Sequence, residues 1–460
     1  MILAYVAFFG IFTALRHYQF QTQAWDMGIF DQLFWNTTHG QFMQSSLEEI
    51  PDHFGIHFSP TLLLLMPGYA VFPSPYYLLL MQTIALALGA WPLYLLARKK
   101  LSEPFPLVIA AAYLLYPPLH WVNNFDFHEI AFFIPLAIAG FYFLEEKKFI
   151  PASVFLALAA GTKEDAILVV VFFGIYSLLR AWQKNNKAEL KIGISIILLS
   201  TLYFLLATKV IMPAFGGGLL RLDRYHELGA TTSEIARNLI TNPELPISLV
   251  FQAQKMKYIS WLFLPAAFLP FFSWPSLFLI LPGILENVLT NFPSQFSGHY
   301  QYDAVIIPGL FIGMIFGIEF LSKKWFVGKE NLLQKTVLAA AFIGFLLRSP
   351  VSPLFFPLDL FSKNPQREAI GELLAKVPAS ASVSATTSFV PHLTNRSEIF
   401  IIGTEPYRTE AVLLDGADLS GFADEAQFQN YADSYMNSGN YTYEEIGGRY
   451  FIFKSKALQK

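Results

Sequence analysis

Between Ala24 and Pro60 the sequence reads AWDMGIFDQLFWNTTHGQFMQSSLEEIPDHFGIHFSP, with three Asp, two Glu and three His but no Lys or Arg. Apolar sequence flanks it on both sides. Carboxylates and imidazoles at a bilayer margin are candidates for function; a hydrated acidic loop is the plain alternative. Asp26 and Asp31 stand five residues apart. On a straight helix that is about 140° of rotation, so both serve one site only if the stretch is bent. Asp26, between Trp25 and Met27-Gly28, is the candidate base, because partial burial raises a carboxyl pKa toward a useful range. Asp31 is the second catalytic candidate, as a further ligand or orienting group, or else a helix-surface acid. His53 and His57 have the i, i+4 spacing that suits a metal, yet no HExxH glutamate lies between them. His57 is alternatively a partner for a phosphate or a carboxylate.

Four more clusters carry polar chemistry. Asp126, His128 and Glu129 in NNFDFHE separate two apolar runs, as site groups or helix caps. Lys163, Glu164 and Asp165 interrupt an apolar hairpin, where each charge costs at least roughly a few kcal/mol if it faces lipid. They neutralise one another, or Lys163 pairs with Asp26. Arg221, Arg224 and Tyr225 follow Gly216-Gly217-Gly218. Arginine forks bind phosphate, and a glycine lead-in suits a lid; a basic loop at lipid headgroups is the alternative. His299 and Tyr300 in GHYQYD are a candidate phosphate contact and an interfacial aromatic.

The elements that must position these groups are read from composition. Of 460 residues, 54% are hydrophobic and 14% charged, against about 25% charged in soluble domains. The expectation is an all-α polytopic membrane domain over 1–358 and a small soluble α/β domain over 359–460. A net charge of −3 offers no basic surface for nucleic acid. The absence of Cys excludes disulfides and thiolate chemistry. Met1–Leu15 lacks a basic start and a cleavage site, and reads as a first span that is short against about 20 residues.

Further spans are expected at Pro75–Ala97, Pro104–His120, Ile130–Leu144, Phe149–Ala160, Ala166–Trp182, Ile192–Phe215, Tyr258–Phe272, Ser276–Thr290, Ala304–Leu321 and Thr336–Phe356, about eleven in all. Lys and Arg gather at 98–100, 147–148, 180–191 and 323–335, in alternate connections. By the positive-inside rule those face the cytoplasm, which puts the N-terminus inside and the C-terminal domain outside. Loops 16–74 and 212–257 are then outer loops. Phe58–Phe72, broken by prolines, reads as an interfacial or re-entrant helix. In the C-terminal domain a helix is expected from Asn364-Pro365 and another over Asp424–Met436, with strands in SVSATTSF, EIFIIG and AVLLD and a hairpin turning at Gly447-Gly448.

WDMGIFDQ, HG and HFSP, then NNFDFHE, KED, RYHELG, GHYQYD and VPHLTNR, resemble domain-of-unknown-function family 2079 of prokaryotic integral membrane proteins over nearly the whole chain. That family's usual first motif reads FDLGIFDQ, so Trp25 and Met27 depart from it. A more distant resemblance is to the GT-C glycosyltransferases, which have an acidic motif after the first span and a His-Pro stretch leading into a helix along the membrane. Asp26 matches the first and His57 to Pro60 the second. Met27 stands where those enzymes carry a second acid, for which Asp31 is the candidate substitute.

The resemblance implies a multi-pass protein of the prokaryotic plasma membrane, a lipid-linked sugar donor, an extracytoplasmic site and sometimes a divalent metal. Asp26 would then take the acceptor's proton, while Lys163, Arg221 or Arg224 meets the leaving phosphate. A transporter or lipid flippase, or a non-catalytic scaffold, is the alternative. The sugar, hexosyl or pentosyl, and the acceptor are left open.

Overall fold

The computed structural model describes residues 1–363 and 365–459. Most of the chain is helical, and the helices share one large apolar core that runs from Tyr5 to Leu360. Four helices are long and apolar enough to cross a membrane: Pro75–Lys100, Glu164–Lys184, Lys187–Ala214 and Glu330–Arg348. A bent pair, Phe105–Leu114 with Pro117–Asn124, makes a fifth if it is one span.

The expected eleven full spans are therefore corrected to this smaller number among the described residues. Ile2–Tyr18, Phe149–Ala160 and Trp274–Val288 are apolar but run to only 17, 12 and 15 residues, against about 20 needed for a hydrocarbon core of about 30 Å. The run expected as a span over 258–272 is broken instead. Helix Ala253–Phe263 ends in two 3-10 turns, Leu264–Ala266 and Leu269–Phe272, separated by Ala267 and Phe268 at φ 52° and 54°. Pro265 and Pro270 withdraw the amide hydrogens that a continuous helix needs. The proline-rich run after Phe58 forms a 3-10 turn Pro60–Leu65 and a helix Met66–Val71.

The basic helix ends are knitted together by ion pairs. Glu145 pairs with Lys100 at 2.9 Å and also with Arg180, and Arg180 lies 3.5 Å from Glu189. The other ends of the bundle carry the acidic and imidazole clusters.

The C-terminal part is a five-stranded sheet with a helix on each face. Its strands are β1 (Val383–Ala385), β2 (Ile399–Ile401), β3 (Ala411–Asp415), β4 (Tyr441–Ile446) and β5 (Tyr450–Ser455), in the order β2-β1-β3-β5-β4. The first three are parallel and the β4–β5 hairpin joins antiparallel. Its turn uses Gly447 and Gly448 at φ 63° and 69°, a conformation strained for other residues. Alternation sorts the faces. Ala411 and Leu413 pack with Ile370 and Leu373 of helix Pro365–Ala375. Val412 and Leu414 pack with Phe428 and Tyr435 of helix Glu425–Met436, which Asp424 caps at Gln427 N. Asn364, expected to begin the first of these helices, lies outside the described residues.

This sheet does not stand apart from the bundle. Ala24 and Leu47 belong to the same apolar cluster as Val383, Ile399 and Val390. Gln32 Nε2 donates to the carbonyls of Arg396 and Ser397, each at 3.1 Å, and Ser46 Oγ donates to Ile399 O at 2.6 Å. A Cβ on Gly28 would meet Val390 at 3.0 Å, so glycine there permits the close approach.

Candidate active site

After helix Ile2–Tyr18 the chain makes a five-residue π-turn, Ala24–Gly28, that runs straight into helix Ile29–Thr38. Such widened turns are frequent at functional sites because they rephase the side chains. Here the rephasing sends the two aspartates different ways. Asp26 keeps 21% of its side chain exposed, and its Oδ1 accepts from His128 Nε2 at 2.7 Å. Asp31 is 0% exposed. Its Oδ1 accepts from Tyr69 OH at 2.8 Å, and its Oδ2 accepts from Thr394 Oγ1 of the C-terminal part. Burial raises its pKa to about 7, against the lowering effect of the two hydroxyls. Asp31 thus sits in a structural joint, away from the Asp26 carboxylate.

His128 is held from behind. Gln82 Oε1 accepts from His128 N at 2.8 Å, while Gln82 Nε2 donates to Asp126 O at 2.7 Å. Asp126 takes φ 43°, which turns the chain so that His128 reaches Asp26. The Asp126 carboxylate accepts from Gln23 N at 2.8 Å and lies 3.8 Å from Arg16. Burial moves its pKa up to about 6 against the pull of Arg16. Burial alone would lower the His128 pKa, but the Asp26 carboxylate, aided by Glu129 and Asp126, raises it instead.

Glu129 continues this line to the Lys163 turn. Lys163 Nζ lies 3.4 Å from Asp165 Oδ2 and 4.0 Å from Glu129 Oε1. Burial would lower its pKa, but Asp165, Glu129, Glu164 and Glu286 together raise it. Glu164 accepts from His57 Nδ1 at 2.9 Å and from Phe58 N at 3.1 Å. Burial and the nearby Lys163 ammonium hold the His57 pKa well down, so its ring is neutral. On the far side, Tyr225 OH donates to the Glu286 carbonyl at 3.0 Å. Arg224 lies 4.3 Å above the Phe292 ring and 3.5 Å from both Gln295 Oε1 and Tyr302 OH. Aromatic contacts close the ring of residues. Tyr302 lies 6.4 Å from Tyr300, Tyr300 packs edge-on against Phe125 at 4.6 Å, and Phe125 stacks on His128 at 5.3 Å.

The structure therefore brings together Asp26, His128, Glu129, Lys163, Glu164, Asp165, His57, Arg224, Tyr225 and Tyr300, with Asp126 behind them. It leaves others aside. Arg221 pairs with Glu49 at 3.1 Å with both side chains exposed, 43% and 63%. His299 packs on Trp121 at 4.7 Å. Glu286 and Gln82 belong to the cluster but carry no motif; a single acid inside the apolar run WPSLFLILPGILENV was the available signal for the first.

The donors do not suit a divalent metal. His53 has Nδ1 2.9 Å from Glu48 Oε1 and Nε2 3.1 Å from Ser59 Oγ, while His57 Nδ1 is committed to Glu164. Among the described residues no three His, Asp or Glu side chains are grouped to hold an ion.

An apolar cavity of about 480 Å³ runs away from this cluster. Glu129 and Thr162 stand at its polar end, and Pro135, Leu136, Ala139 and Phe143 line its depth. Between Ala85 and Leu95, which also line it, it extends about 15 Å at about 1.5 Å per residue. Leu64, Leu88 and Trp91 on its wall are exposed, so it opens sideways at the apolar surface of the bundle.

Residues 16–448 match the family described as predicted membrane protein, DUF2079, and the chain belongs to that family. A comparison with curated proteins gave no match. The fold is similar to that of ArnT from Cupriavidus metallidurans. The crystal structure bound to undecaprenyl phosphate has a TM-score of 0.57 at 11% identity, and the apo structure 0.53 at 12%; in both, 98% of each chain is covered.

Proposed function

We propose that this membrane protein is a GT-C-type glycosyltransferase that moves a sugar from a polyprenyl-phosphate donor to an acceptor at the extracytoplasmic face. The observation that carries this reading is the junction of two unlike features. An apolar groove that opens at the apolar surface of the bundle ends at Glu129 and Thr162, with the half-buried Lys163 ammonium 4.0 Å from Glu129, and Asp26 held by His128, the residue next to Glu129. A polyprenyl tail needs the first and its phosphate the second. A fold like that of ArnT, crystallised with undecaprenyl phosphate, supports the same reading.

In this mechanism the Asp26 carboxylate takes the proton from the acceptor hydroxyl as its oxygen attacks the anomeric carbon. The bond between that carbon and the phosphate oxygen breaks, and its electron pair leaves with polyprenyl phosphate. The configuration inverts. Lys163 meets the charge growing on the phosphate. His128 holds the Asp26 carboxylate toward the acceptor through its 2.7 Å bond. The membrane confines the donor to two dimensions, and the C-terminal part fixes the Asp26 turn, so much of the gain is positional.

Asp26→Asn removes the base while preserving shape. Transfer from an undecaprenyl-phosphate sugar is expected to fall about 100- to 10,000-fold, with membrane insertion and thermal unfolding unchanged. Transfer at the wild-type rate by this variant would remove Asp26 from the chemistry.

A further inference from the structure

A helical hairpin at the end of the bundle that carries the Asp26 cluster takes no part in the transfer mechanism. Its helices are Thr232–Thr241 and Glu244–Val250, joined through Asn242-Pro243. The membrane-length helix Lys187–Ala214 leads toward it, and helix Ala253–Phe263 runs from it into the large apolar core through Tyr258, Leu262 and Phe263. The hairpin is tied to the Arg224 loop. Asn238 Nδ2 donates to Leu228 O at 2.6 Å. Leu228, Ile235, Leu245 and Leu249 form one apolar cluster with Tyr225 and with Leu285 and Leu289 at the end of helix Trp274–Val288.

The first helix has more apolar surface than the protein covers. At about 100° per residue, Ile235, Leu239, Ala236 and Ile240 share a face about 140° wide, with Arg237, Thr241 and Glu234 on the opposite one. Ile235 reaches the cluster, but Leu239 is exposed and Ile240 is 80% exposed. The second helix repeats the pattern. Leu245 and Leu249 turn inward, while Ile247 is 56% exposed and Phe251, just past the helix end, 67%. Large apolar side chains left bare so close together in the chain mark an interaction surface.

The surroundings say what covers it. Exposed apolar side chains continue on both sides: Leu202, Leu205 and Val210 on Lys187–Ala214, and Met256, Phe268 and Phe271 beyond the hairpin. Those on the membrane-length helix face lipid. Residues 227–257 hold three acids and three bases, a balance that recruits no strongly charged macromolecule. Glu234 accepts from Ala230 N at 2.8 Å and so belongs to the helix start. An amphipathic helix beside membrane-spanning segments lies in the interface plane, its apolar face about 5–10 Å into the boundary of headgroups and acyl chains.

We propose that the hairpin over 232–250 docks on the lipid bilayer, with Ile240, Ile247 and Phe251 entering the boundary between headgroups and acyl chains. The contact is made by apolar burial and needs no anionic lipid. Through Asn238 and Leu228 it ties the Arg224–Tyr225 loop to the membrane surface, whatever reaction the neighbouring cluster performs.

The chain has no cysteine, so an introduced one reports a single place. I240C, F251C and, on the polar face, T241C are each labelled with the fluorophore NBD in the full-length protein in phosphatidylcholine nanodiscs. For I240C and F251C, most of the emission is expected to be lost to phosphatidylcholine spin-labelled high on its acyl chain and little to aqueous iodide. T241C should show the reverse. The two apolar positions guard against a local disturbance by either label. Iodide access at I240C or F251C equal to that at T241C would overturn the proposal. Shielding from both quenchers would overturn it too, and would assign the surface to a second copy of this chain or to another protein. Lipid quenching that appears only when anionic lipid is added would overturn the apolar basis of the contact.

Discussion

Asp31→Asn separates structural from catalytic acids. Asp31 is fully buried, and both its oxygens accept hydroxyl hydrogens, from Tyr69 on one side and Thr394 on the other. Burial raises its pKa from the ordinary 3.8 to about 7. An acid whose pKa rises on folding binds its proton more tightly in the folded state. Stability is then greatest below about pH 4, declines as pH climbs toward about 7, and is level above that. The full rise corresponds to ~4 kcal/mol, an upper bound for this site. Asparagine keeps the shape, accepts from one hydroxyl and donates to the other, and carries no titration. The wild type should therefore lose thermal stability between about pH 4 and 7. D31N should lose much less and overtake wild type near neutral pH, when unfolding is followed in detergent by tryptophan fluorescence. Sugar transfer should survive in D31N, in contrast to D26N. A D31N protein that is less stable than wild type above neutral pH, or that is folded but inactive, would refute this reasoning.

Three other outcomes are expected. His128→Asn removes the 2.7 Å bond to Asp26, and a charge-assisted bond worth about 1.5–3 kcal/mol corresponds to about a 10- to 100-fold loss in kcat with KM little changed; steady-state kinetics read the split. Ala139→Trp places an indole in the 480 Å³ groove. It should raise KM for a long polyprenyl donor by about tenfold, ~1.4 kcal/mol, and affect a two-isoprene donor less. Lys163→Met leaves four carboxylates without their ammonium and should cost about 3–5 kcal/mol, seen as a lower unfolding temperature, whereas Lys163→Arg should retain most of the stability.

What the sequence made legible was the chemistry of isolated motifs in apolar surroundings. A charge such as Lys163 between Ala157–Gly161 and Ala166–Val171 has few places to go, so its neighbours could be expected to converge on it. The C-terminal strands were equally readable, because alternation and the double glycine are local signals. Other features depend on packing that local pattern does not encode. His53 and His57 have metal spacing, but Glu48 and Glu164 claim them first. Arg221 and Arg224 look alike in sequence; only the second falls against Phe292 and Tyr302. The number of full spans was overread because hydropathy measures composition, whereas Pro265, Pro270 and the shortness of Phe149–Ala160 decide length. Asp31 was read as a helix-surface acid or a catalytic one because Thr394, 363 residues away, leaves no trace near it.

The shared core of the Asp26 turn and the sheet has a consequence for biosynthesis. Ala24 and Gly28 emerge from the ribosome early, yet the surfaces they rest on, Val383 and Val390, emerge hundreds of residues later. At about 5–20 residues per second, the nascent chain spends many seconds with its helices made and its Asp26 turn unseated. A chain stopped short of β1 would carry its helices without the surface that seats the Asp26 turn, so that turn is completed only late in synthesis.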